Sequence, residues 1–445
     1  MPRTKKSKVE PIKRPSGQSS NFGRVKGLKD ILPEEYKYWD LVGRKAIEMA
    51  RLYSFKRCDL PILEGLDLYE RGLGKNSEVC NKDLLSFTTK NGERLALRPD
   101  ALLGLVRSLV EHNVINQEVT HKNFWMGPVF AFDRYQGGRL RQFHQFSLDI
   151  FGEFSSSADA QLILIGYNFF KELQLDVEVH INSLGDLECR DNYIKVINNF
   201  FKERGRKSKL CPDCRKRLLK QPFSILDCRE EKCQEVAAEL SPIVDYLSDD
   251  CRKHFEQVLE FLDNLGIPYS LDTRLVSVRG FEFFDKTIFE FMPAGENRKH
   301  LSLGGGGNYT NLVAKLGGKN IKACGLAIDL EKTISRIRSK SIVVAENNDA
   351  DIFIAQISET AKQKAMLLFE ELRRAGFNVR ECFISDSLKG QLEEAEKSKA
   401  KYTLILGQKE MIDGTILLKD MESGVQETVD MRKLVNELDK RLNIN

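Results

Sequence analysis

The sequence predicts an α+β protein with more than one domain, and three observations carry this prediction. A helical pattern near the start is followed by short strands and turn signals, which is typical of an antiparallel sheet with flanking helices. After a polar linker, strands and helices alternate over residues 351–445, as in a compact α/β domain. The chain has 445 residues, too many for a single hydrophobic core.

The first helix and the strands after it follow from local patterns. Pro33 stands near a helix start, with Glu34 and Glu35 in the first turn, and apolar residues then recur at helical spacing up to Leu52. Asn91-Gly92 is the turn signal of a hairpin in LSFTTKNGERLALRPD. Further strands are predicted in FWMGPVFAFDR and LRQFHQFSLDIFGE, and in CDLPILE as a short strand interrupted by Pro61.

The rest of the chain divides into three segments. Residues 192–264 are charged and helical, and strands return afterwards in TRLVSVRGFEFFDKTIFEFM, LSLGGGG and ACGLAIDLEKTISRI. A polar, acidic linker follows at 339–350. The last segment predicts strands in ADIFIAQI, NVRECFI, YTLILG and TILLKD, and helices in AKQKAMLLFEELRRAG, SLKGQLEEAEKSKA and VDMRKLVNELDKRL.

Charge is unevenly distributed along the chain. Residues 1–26 carry eight basic residues and one acid, a net +7, whereas the whole chain carries +4 and the remainder therefore −3. With three prolines and a Ser-Gly-Gln-Ser-Ser run, this segment is predicted to be a disordered basic tail. Two roles stay open, a solubilising tail or an arm attracted to RNA phosphates.

Composition argues against a membrane protein and against a secreted disulfide scaffold. No apolar run approaches the roughly 20 residues that span a bilayer, and no apolar segment after Met1 is typical of a secretory signal. Ten cysteines in such a chain are expected to be reduced thiols or metal ligands. We therefore expect a cytoplasmic protein without a membrane partner.

The most specific motif is GPVFAFDRYQGGRLRQFHQFSLD, at 127–149. Other motifs precede and follow it in order: GLKDILPEE, LPILE, LALRPD, LCPDCRKRLLKQPFSILDCREEKC, VRGFEFFDKTIFE, GGGNYTNL and GLAIDLEK. Together these segments resemble the histidyl-tRNA synthetases, from Gly27 to the C-terminus. Each segment alone is weak evidence, and their common order carries the resemblance.

This resemblance implies an architecture and partners. A class II synthetase domain with an antiparallel sheet would occupy 27–338, with the helical insertion at about 192–264, and an anticodon-binding domain would occupy 351–445. The family is homodimeric, with tRNA as its partner and ATP and Mg²⁺ as the cofactors of an active enzyme. Arg134 and Gln136, in the turn of the 127–149 hairpin, are the candidates for contacting tRNA.

The predicted ATP site departs from the family pattern. Adenylate formation concentrates negative charge at the α-phosphate, which fixed cations must stabilise. Ala131 stands where the family has its phosphate-binding arginine, and Lys332 replaces a second arginine, which retains the charge but loses the planar fork. Asp329 replaces a glycine. By resemblance, the ATP-binding candidates are Asp133, Arg139, Phe143 and Lys332.

The predicted histidine pocket departs from it as well. Arg279 matches the family's catalytic arginine, and the pocket candidates are Asp100, Gln145, Asp149, Phe284 and Tyr309. Phe283 and Phe284 stand where the family has two tyrosines. Asp100 and Asp149 replace glutamates, and Leu102 replaces a threonine.

Four cysteines of the insertion have a spacing that permits a metal site. Cys211-x2-Cys214 and Cys228-x4-Cys233 could place four thiolates around zinc. The alternative is that they are small core residues, as cysteines of this insertion often are in the family. The sequence favours the second interpretation, so zinc is not predicted as a cofactor.

Two functions of different class remain open. One is an active histidine–tRNA ligase with an atypical ATP site. The other is a paralogue that retains the fold and tRNA binding, has lost or weakened adenylate formation, and acts as a tRNA-binding or regulatory module. Because the substitutions converge on one predicted pocket, the sequence favours the paralogue and leaves enzymatic activity undecided.

Overall fold

The computed structural model describes residues 23–442, apart from 76, 78, 116–118, 133–139, 229, 279–280, 297–300, 345–349 and 386. These residues belong to two compact units, one ending at Val343 and the other beginning at Val344. Most of the predicted basic tail, residues 1–22, lies outside the described residues. Within the described ranges, no helix is both long enough and apolar enough to cross a membrane.

The first unit contains eleven strands and eleven α-helices among its described residues. The strands are β1 (Lys56–Arg57), β2 (Leu63–Gly65), β3 (Ser86–Thr88), β4 (Arg94–Leu97), β5 (His121–Phe130), β6 (Gln142–Phe151), β7 (Val177–Ser183), β8 (Tyr269–Leu271), β9 (Asp285–Pro293), β10 (Gly304–Asn308) and β11 (Ala323–Asp329). The helices are α1 (Pro33–Leu52), α2 (Leu66–Leu73), α3 (Leu102–Glu111), α4 (Ser156–Glu172), α5 (Leu187–Lys202), α6 (Arg206–Lys209), α7 (Pro212–Lys220), α8 (Glu231–Ala237), α9 (Asp249–Asn264), α10 (Thr310–Lys315) and α11 (Leu330–Ser339).

An eight-stranded sheet organises this unit, in the order β1-β5-β6-β11-β10-β9-β7-β8. The inner pairs of strands are antiparallel, whereas the strand at each edge is parallel to its neighbour, β1 to β5 and β8 to β7. A separate small sheet has the order β2-β4-β3. The predicted α+β class, a largely antiparallel sheet with flanking helices, is confirmed.

The two faces of the large sheet have different surroundings. On one face α4 packs against the strands, with the rings of Phe169 and Phe146 centred 5.9 Å apart and those of Phe170 and Phe291 5.4 Å apart. Since successive residues of a strand point to opposite faces, Gln145, Ser147 and Asp149 of β6 lie on the other face. That second face carries the candidate site.

Some sequence-based elements are wrong. CDLPILE is predicted as a short strand interrupted by Pro61, but the interruption is longer: residues 58–62 are not in a strand, and β1 and β2 on either side of them belong to different sheets. Pro61 has no N–H to give to a ladder, which explains the interruption. TRLVSVRGFEFF was predicted to be extended, yet the strand begins only at Asp285, after an isolated bridge between Val278 and Phe281.

The second unit is a five-stranded sheet with helices. Its strands are β12 (Ile352–Gln356), β13 (Val379–Glu381), β14 (Tyr402–Leu406), β15 (Thr415–Asp420) and β16 (Gln426–Asp430), and its helices are α12 (Glu359–Arg374), α13 (Leu388–Lys397), α14 (Gln408–Asp413) and α15 (Leu434–Leu442). The strand order is β13-β12-β14-β15-β16. The sequence missed α14 and β16, and it placed Val429 and Asp430 in the final helix although they end β16.

Candidate active site

Neighbouring strands bring polar groups and glycines together on the second sheet face. In the antiparallel register, Asp149 of β6 lies opposite Gly325 of β11, and Gly325 lies opposite Gly307 of β10. A cavity opens above them with about 380 Å³ of empty space, including its open mouth. Its lining is Asp100, Leu102, Ser147, Asp149, Val278, Phe281, Phe283, Phe284, Gly305, Gly306, Tyr309, Gly325, Leu326 and Ala327.

Asp149 is the buried carboxyl group at the centre of this cavity. It is 3% exposed, and its Oδ1 accepts a hydrogen bond from the Tyr309 hydroxyl at 2.7 Å. Burial raises the pKa of Asp149 to about 7; the Tyr309 hydrogen bond opposes this rise, and the negative charge of Asp100 adds to it. Asp149 can therefore change protonation state near neutral pH.

Buried polar atoms on this face that have no hydrogen-bond partner among the described residues include Asp149 Oδ2 and Gln145 Nε2. Asn123 Nδ2 and His121 Nε2, on the neighbouring strand β5, are two more. Because buried polar groups are almost always hydrogen-bonded in native proteins, a free acceptor and a free donor on one face indicate a polar ligand. That ligand would donate to Asp149 and accept from Gln145.

Glycine is required where the strands approach Asp149. A Cβ at Gly325 would lie 2.3 Å from Asp149 Oδ1, and one at Gly306 would lie 1.9 Å from the Gly325 carbonyl oxygen. Both distances are too short for any side chain. The glycine run of the sequence therefore makes room for a buried carboxyl group and for close backbone packing.

Another wall of the cavity is aromatic and is held by a partly buried arginine. Phe283 packs on Phe284 with ring centres 4.6 Å apart, and it meets Tyr309 edge to face at 6.2 Å. Arg190 of α5 donates to the carbonyl of Phe284 at 2.5 Å and to that of Glu282 at 3.4 Å. Burial lowers the pKa of Arg190. Arg190 was not among the predicted site residues, because its only signal in the sequence is a charge on a helix far from the motif.

Asp100 joins the wall from the N-terminal side of α3. Its Oδ1 accepts from the backbone N–H of Leu102 at 2.8 Å, and both residues line the cavity. This hydrogen bond fixes the carboxylate beside Asp149 at the beginning of a helix, where a negative charge is favourable.

Ala131 lies in an apolar environment at the end of β5. It is 2% exposed and packs in a cluster with Ala101, Trp125, Val129 and Phe143. The register places Val129 opposite Phe143 and Gly127 opposite Gln145, so Ala131 continues the row on the site face. The sequence departure at this position therefore lies on the same sheet face as the candidate pocket.

Two nearby arginines are engaged elsewhere. Arg141 donates through Nε to the Phe132 carbonyl at 2.9 Å and lies 4.6 Å from the Phe132 ring centre. Arg98 donates to the carbonyls of Pro128 and Leu60 at 2.8 and 2.7 Å, and it stacks on Trp125. Both guanidinium groups contact the backbone around β5, so neither occupies the position of a side chain at residue 131.

Asp329 and Lys332 both have structural roles at the start of α11. Asp329 caps the helix by accepting from the backbone N–H of Lys332 at 3.0 Å. The Lys332 ammonium donates to the Ser302 carbonyl at 2.6 Å. Glu331, between them, accepts from the backbone N–H and Nδ1 of His144 at 2.7 and 2.9 Å, so His144 ties the hairpin to this helix.

The four cysteines of the insertion converge. Cys211, Cys214, Cys228 and Cys233 place their sulfur atoms within 4.8 Å of one another. All ten cysteines lie among the described residues, and all are free thiols.

Comparison with known proteins identifies the family of this fold. The sequence profile described as "Histidyl-tRNA synthetase" matches residues 27–333, which is more than half of the chain, and the profile "Anticodon binding domain" matches residues 349–441. The chain belongs to the histidyl-tRNA synthetase family. The resemblance inferred from the ordered motifs is thus confirmed.

Individual relatives of this histidyl-tRNA synthetase-family chain match it over nearly its whole length. A protein named histidine–tRNA ligase from Halothermothrix orenii is 35% identical over 418 residues, 93% of this chain and 98% of the relative. One of the same name from Natranaerobius thermophilus is 35% identical over 409 residues, 92% and 96% of the two chains. The apo S. aureus histidyl-tRNA synthetase superposes with a TM-score of 0.77 at 29% identity, over 94% of this chain and 99% of that one.

The structure brings only part of the predicted synthetase site together. Asp100, Asp149, Phe284 and Tyr309 line the cavity, and Gln145 lies on the same sheet face, whereas Phe143 and Lys332 are not among the lining residues. Five predicted positions lie outside the described residues: Arg279, Asp133, Arg139, Arg134 and Gln136. The lining residues that the sequence missed include Ser147 and Ala327. The alternation of residues along strands was the signal that could have found Ser147.

Proposed function

We propose that this protein is an active histidine–tRNA ligase. The reaction joins the histidine carboxylate to the α-phosphate of ATP with release of pyrophosphate, and then transfers histidine to tRNA with release of AMP. The observation that carries the proposal is the full-length similarity to proteins of that name, 35% identity over 92–93% of the chain. This similarity favours the ligase over the paralogue that the sequence departures suggested.

The geometry of the cavity supports histidine as the amino acid. The free Asp149 Oδ2 can accept from an imidazole N–H, and the free Gln145 Nε2 can donate to a ligand acceptor. Asp100 offers a carboxylate to the α-amino group. A site that satisfies such groups only when the correct ligand is present discriminates strongly, since the wrong ligand leaves buried polar atoms unpaired. Arg279 is assigned the catalytic role by its match to the family motif.

We assign ATP, with Mg²⁺, to the part of the site around the 127–149 hairpin and α11. Lys332 is the described cation that would face the phosphates, and Asp133, Arg139 and Phe143 are assigned to ATP by their motif positions. Losing one transition-state donor costs about 10²–10³ in rate. Because Ala131 supplies no charge, we expect slow but histidine-dependent adenylate formation.

The tRNA, subunit and compartment assignments belong to the same proposal. Arg134 and Gln136 and the second unit are the proposed tRNA contacts. A homodimer is supported by exposed apolar side chains on the small sheet, Leu63 at 43% and Phe87 at 48%, and by Ile62 just before it at 41%. Light scattering should give twice the chain mass of 50.9 kDa. Ten free thiols suit a reducing cytoplasm.

Two observations favour a second candidate function, that of a tRNA-binding paralogue without adenylate formation. Ala131 packs into an apolar cluster, and Phe283 and Phe284 stand where the family has two tyrosines. This candidate predicts tRNA binding with no pyrophosphate exchange.

ATP–pyrophosphate exchange with purified protein separates the two candidates. The ligase proposal expects exchange that depends on histidine and is lost in Asp149→Ala, followed by charging of tRNA. Ala131→Arg combined with Lys332→Arg should raise the exchange rate, whereas Ala131→Met, which adds bulk without charge, should not. Exchange absent from the wild type but recovered in the double variant would favour the paralogue.

A further inference from the structure

Four cysteines from three separate segments of the insertion meet at one point. Cys211 and Cys214 lie at the start of α7, Cys228 follows in the connection after it, and Cys233 lies in α8. Their sulfur atoms all lie within 4.8 Å of one another, and those of Cys211 and Cys228 are 4.0 Å apart. A zinc–sulfur bond of about 2.3 Å in a tetrahedron puts sulfur atoms about 3.8 Å apart. The cluster therefore has nearly the size of a tetrathiolate metal site.

Backbone N–H groups point at two of the four sulfur atoms. The N–H of Cys211 points to the Cys233 sulfur at 3.1 Å, and the N–H of Cys214 points to the Cys211 sulfur at 3.4 Å. Cys211 also caps α7, so the positive end of that helix faces its sulfur. Hydrogen bonds to a sulfur atom favour its charged form. Cysteines that serve only as apolar core residues do not require donors aimed at them.

We propose that Cys211, Cys214, Cys228 and Cys233 bind one zinc ion that holds the insertion together. Tetrahedral sulfur-only sites select zinc or iron, and a closed four-thiolate site without an open position is structural rather than catalytic. The convergence of all four sulfur atoms, which spacing alone could not show, reverses the sequence-based preference for core cysteines.

The local fold gives the metal a structural task. Helices α6, α7 and α8 have four, nine and seven residues, and isolated helices of such length are not stable in water. The four ligands join the start of α7 to α8 and to the connection between them. Asp227, next to Cys228, accepts a hydrogen bond from the Ser277 hydroxyl at 2.9 Å. Ser277 is two residues before Arg279 in the sequence. The zinc site thus anchors a loop that contacts the segment leading to the predicted catalytic arginine.

The first test measures metal content on the full-length protein, independently of ligase activity. After growth with zinc and purification without chelator, mass spectrometry should find one zinc per chain. Cys228→Ser and Cys233→Ser should lose it. Cys324→Ala is the matched control, because Cys324 is also a buried free thiol but belongs to neither cluster of metal-ligating side chains among the described residues, and the zinc content of this variant should be unchanged.

A second measurement uses only the wild type, so it does not require that any cysteine variant folds. Cobalt(II) exchanged into the wild type should give the visible absorption and the sulfur-to-metal charge transfer of a tetrahedral thiolate site. Titration with a mercurial thiol reagent should then release one metal ion as four thiols react. Zinc well below one per chain, retention of zinc by Cys228→Ser, iron in place of zinc, or a Cys211–Cys228 disulfide in the purified protein would each overturn the proposal.

Discussion

Replacing Asp149 with asparagine should make the first unit more stable, and increasingly so as the pH rises. The ordinary pKa of an aspartate is 3.8, and that of Asp149 is raised to about 7 by burial. At pH values between these two pKa values, the folded protein therefore still binds a proton at Asp149, whereas the unfolded chain has already released it. Stability must then fall as pH rises through this window and level off above it.

The size of this effect follows from the two pKa values. The rise in the pKa of Asp149 from 3.8 to about 7 corresponds to a free energy of about 4 kcal/mol, at about 1.4 kcal/mol per pKa unit. Part of this loss in the free energy of unfolding is already present in mildly acidic buffer. Between about pH 5.5 and about pH 8, the wild type should lose about 2 kcal/mol relative to Asp149→Asn, whose amide does not titrate.

Tryptophan fluorescence provides the assay. The chain has two tryptophans, Trp39 and Trp125, and both lie in the first unit. Their emission during urea unfolding therefore reports on the first unit and not on the second. The free energy of unfolding of both proteins would be measured across the pH range. A difference that stays constant with pH, or that shrinks as pH rises, would refute the assignment of a raised pKa to Asp149.

Histidine extends the same experiment to the proposed function. A ligand that donates a hydrogen bond to Asp149 Oδ2 favours the carboxylate and lowers the pKa of Asp149 in the complex. Saturating histidine should therefore flatten the pH dependence of the wild type and leave Asp149→Asn unaffected. An unchanged slope with histidine would count against the proposed contact, and the raised pKa itself would stand.

Three further predictions concern other parts of the chain. Gly325→Ala should weaken histidine binding at least tenfold by calorimetry, because its methyl group would lie 2.3 Å from Asp149 Oδ1, whereas Gly43→Ala, with its nearest contact at 3.8 Å, should bind normally. Arg190→Ala should raise the KM for histidine more than it lowers kcat, since the carbonyls of Glu282 and Phe284 lose their donor, and Arg190→Lys should recover part of it; equal effects of the two variants would argue against a positioning role. Deleting residues 351–445 should abolish tRNA binding in a filter assay while the first unit stays folded, and unchanged affinity would remove the second unit from the tRNA interface.

Local sequence signals predicted the elements whose geometry is set by near neighbours. The helix beginning at Pro33 and the hairpin around Asn91-Gly92 are both present, with Gly92 at φ +85° as such a turn requires. The long strands on either side of residues 133–139 were also predicted. Proline, turn glycines and periodic apolar residues act within a few positions, so one sequence suffices to find them.

Elements that depend on distant partners were predicted less well. Strand β16 has exposed residues at Gln426, Glu427 and Thr428, and only its pairing with β15 makes it a strand. RLVSVRGFEFF is apolar enough for a strand, yet its backbone carbonyls at Glu282 and Phe284 accept hydrogen bonds from Arg190 of helix α5. Tertiary contacts override local propensity at such places.

The sequence by itself determined the fold class, the order of the motifs and the residue types that the site contains. It determined that an arginine is absent at Ala131 and that four cysteines have a spacing open to a metal. Only the tertiary structure decided that Asp149 is buried beside Tyr309 with one free oxygen, and that the four sulfur atoms converge within 4.8 Å. The physical reason is that burial and distance between remote residues set pKa values and metal affinity, and neither is a property of spacing along the chain.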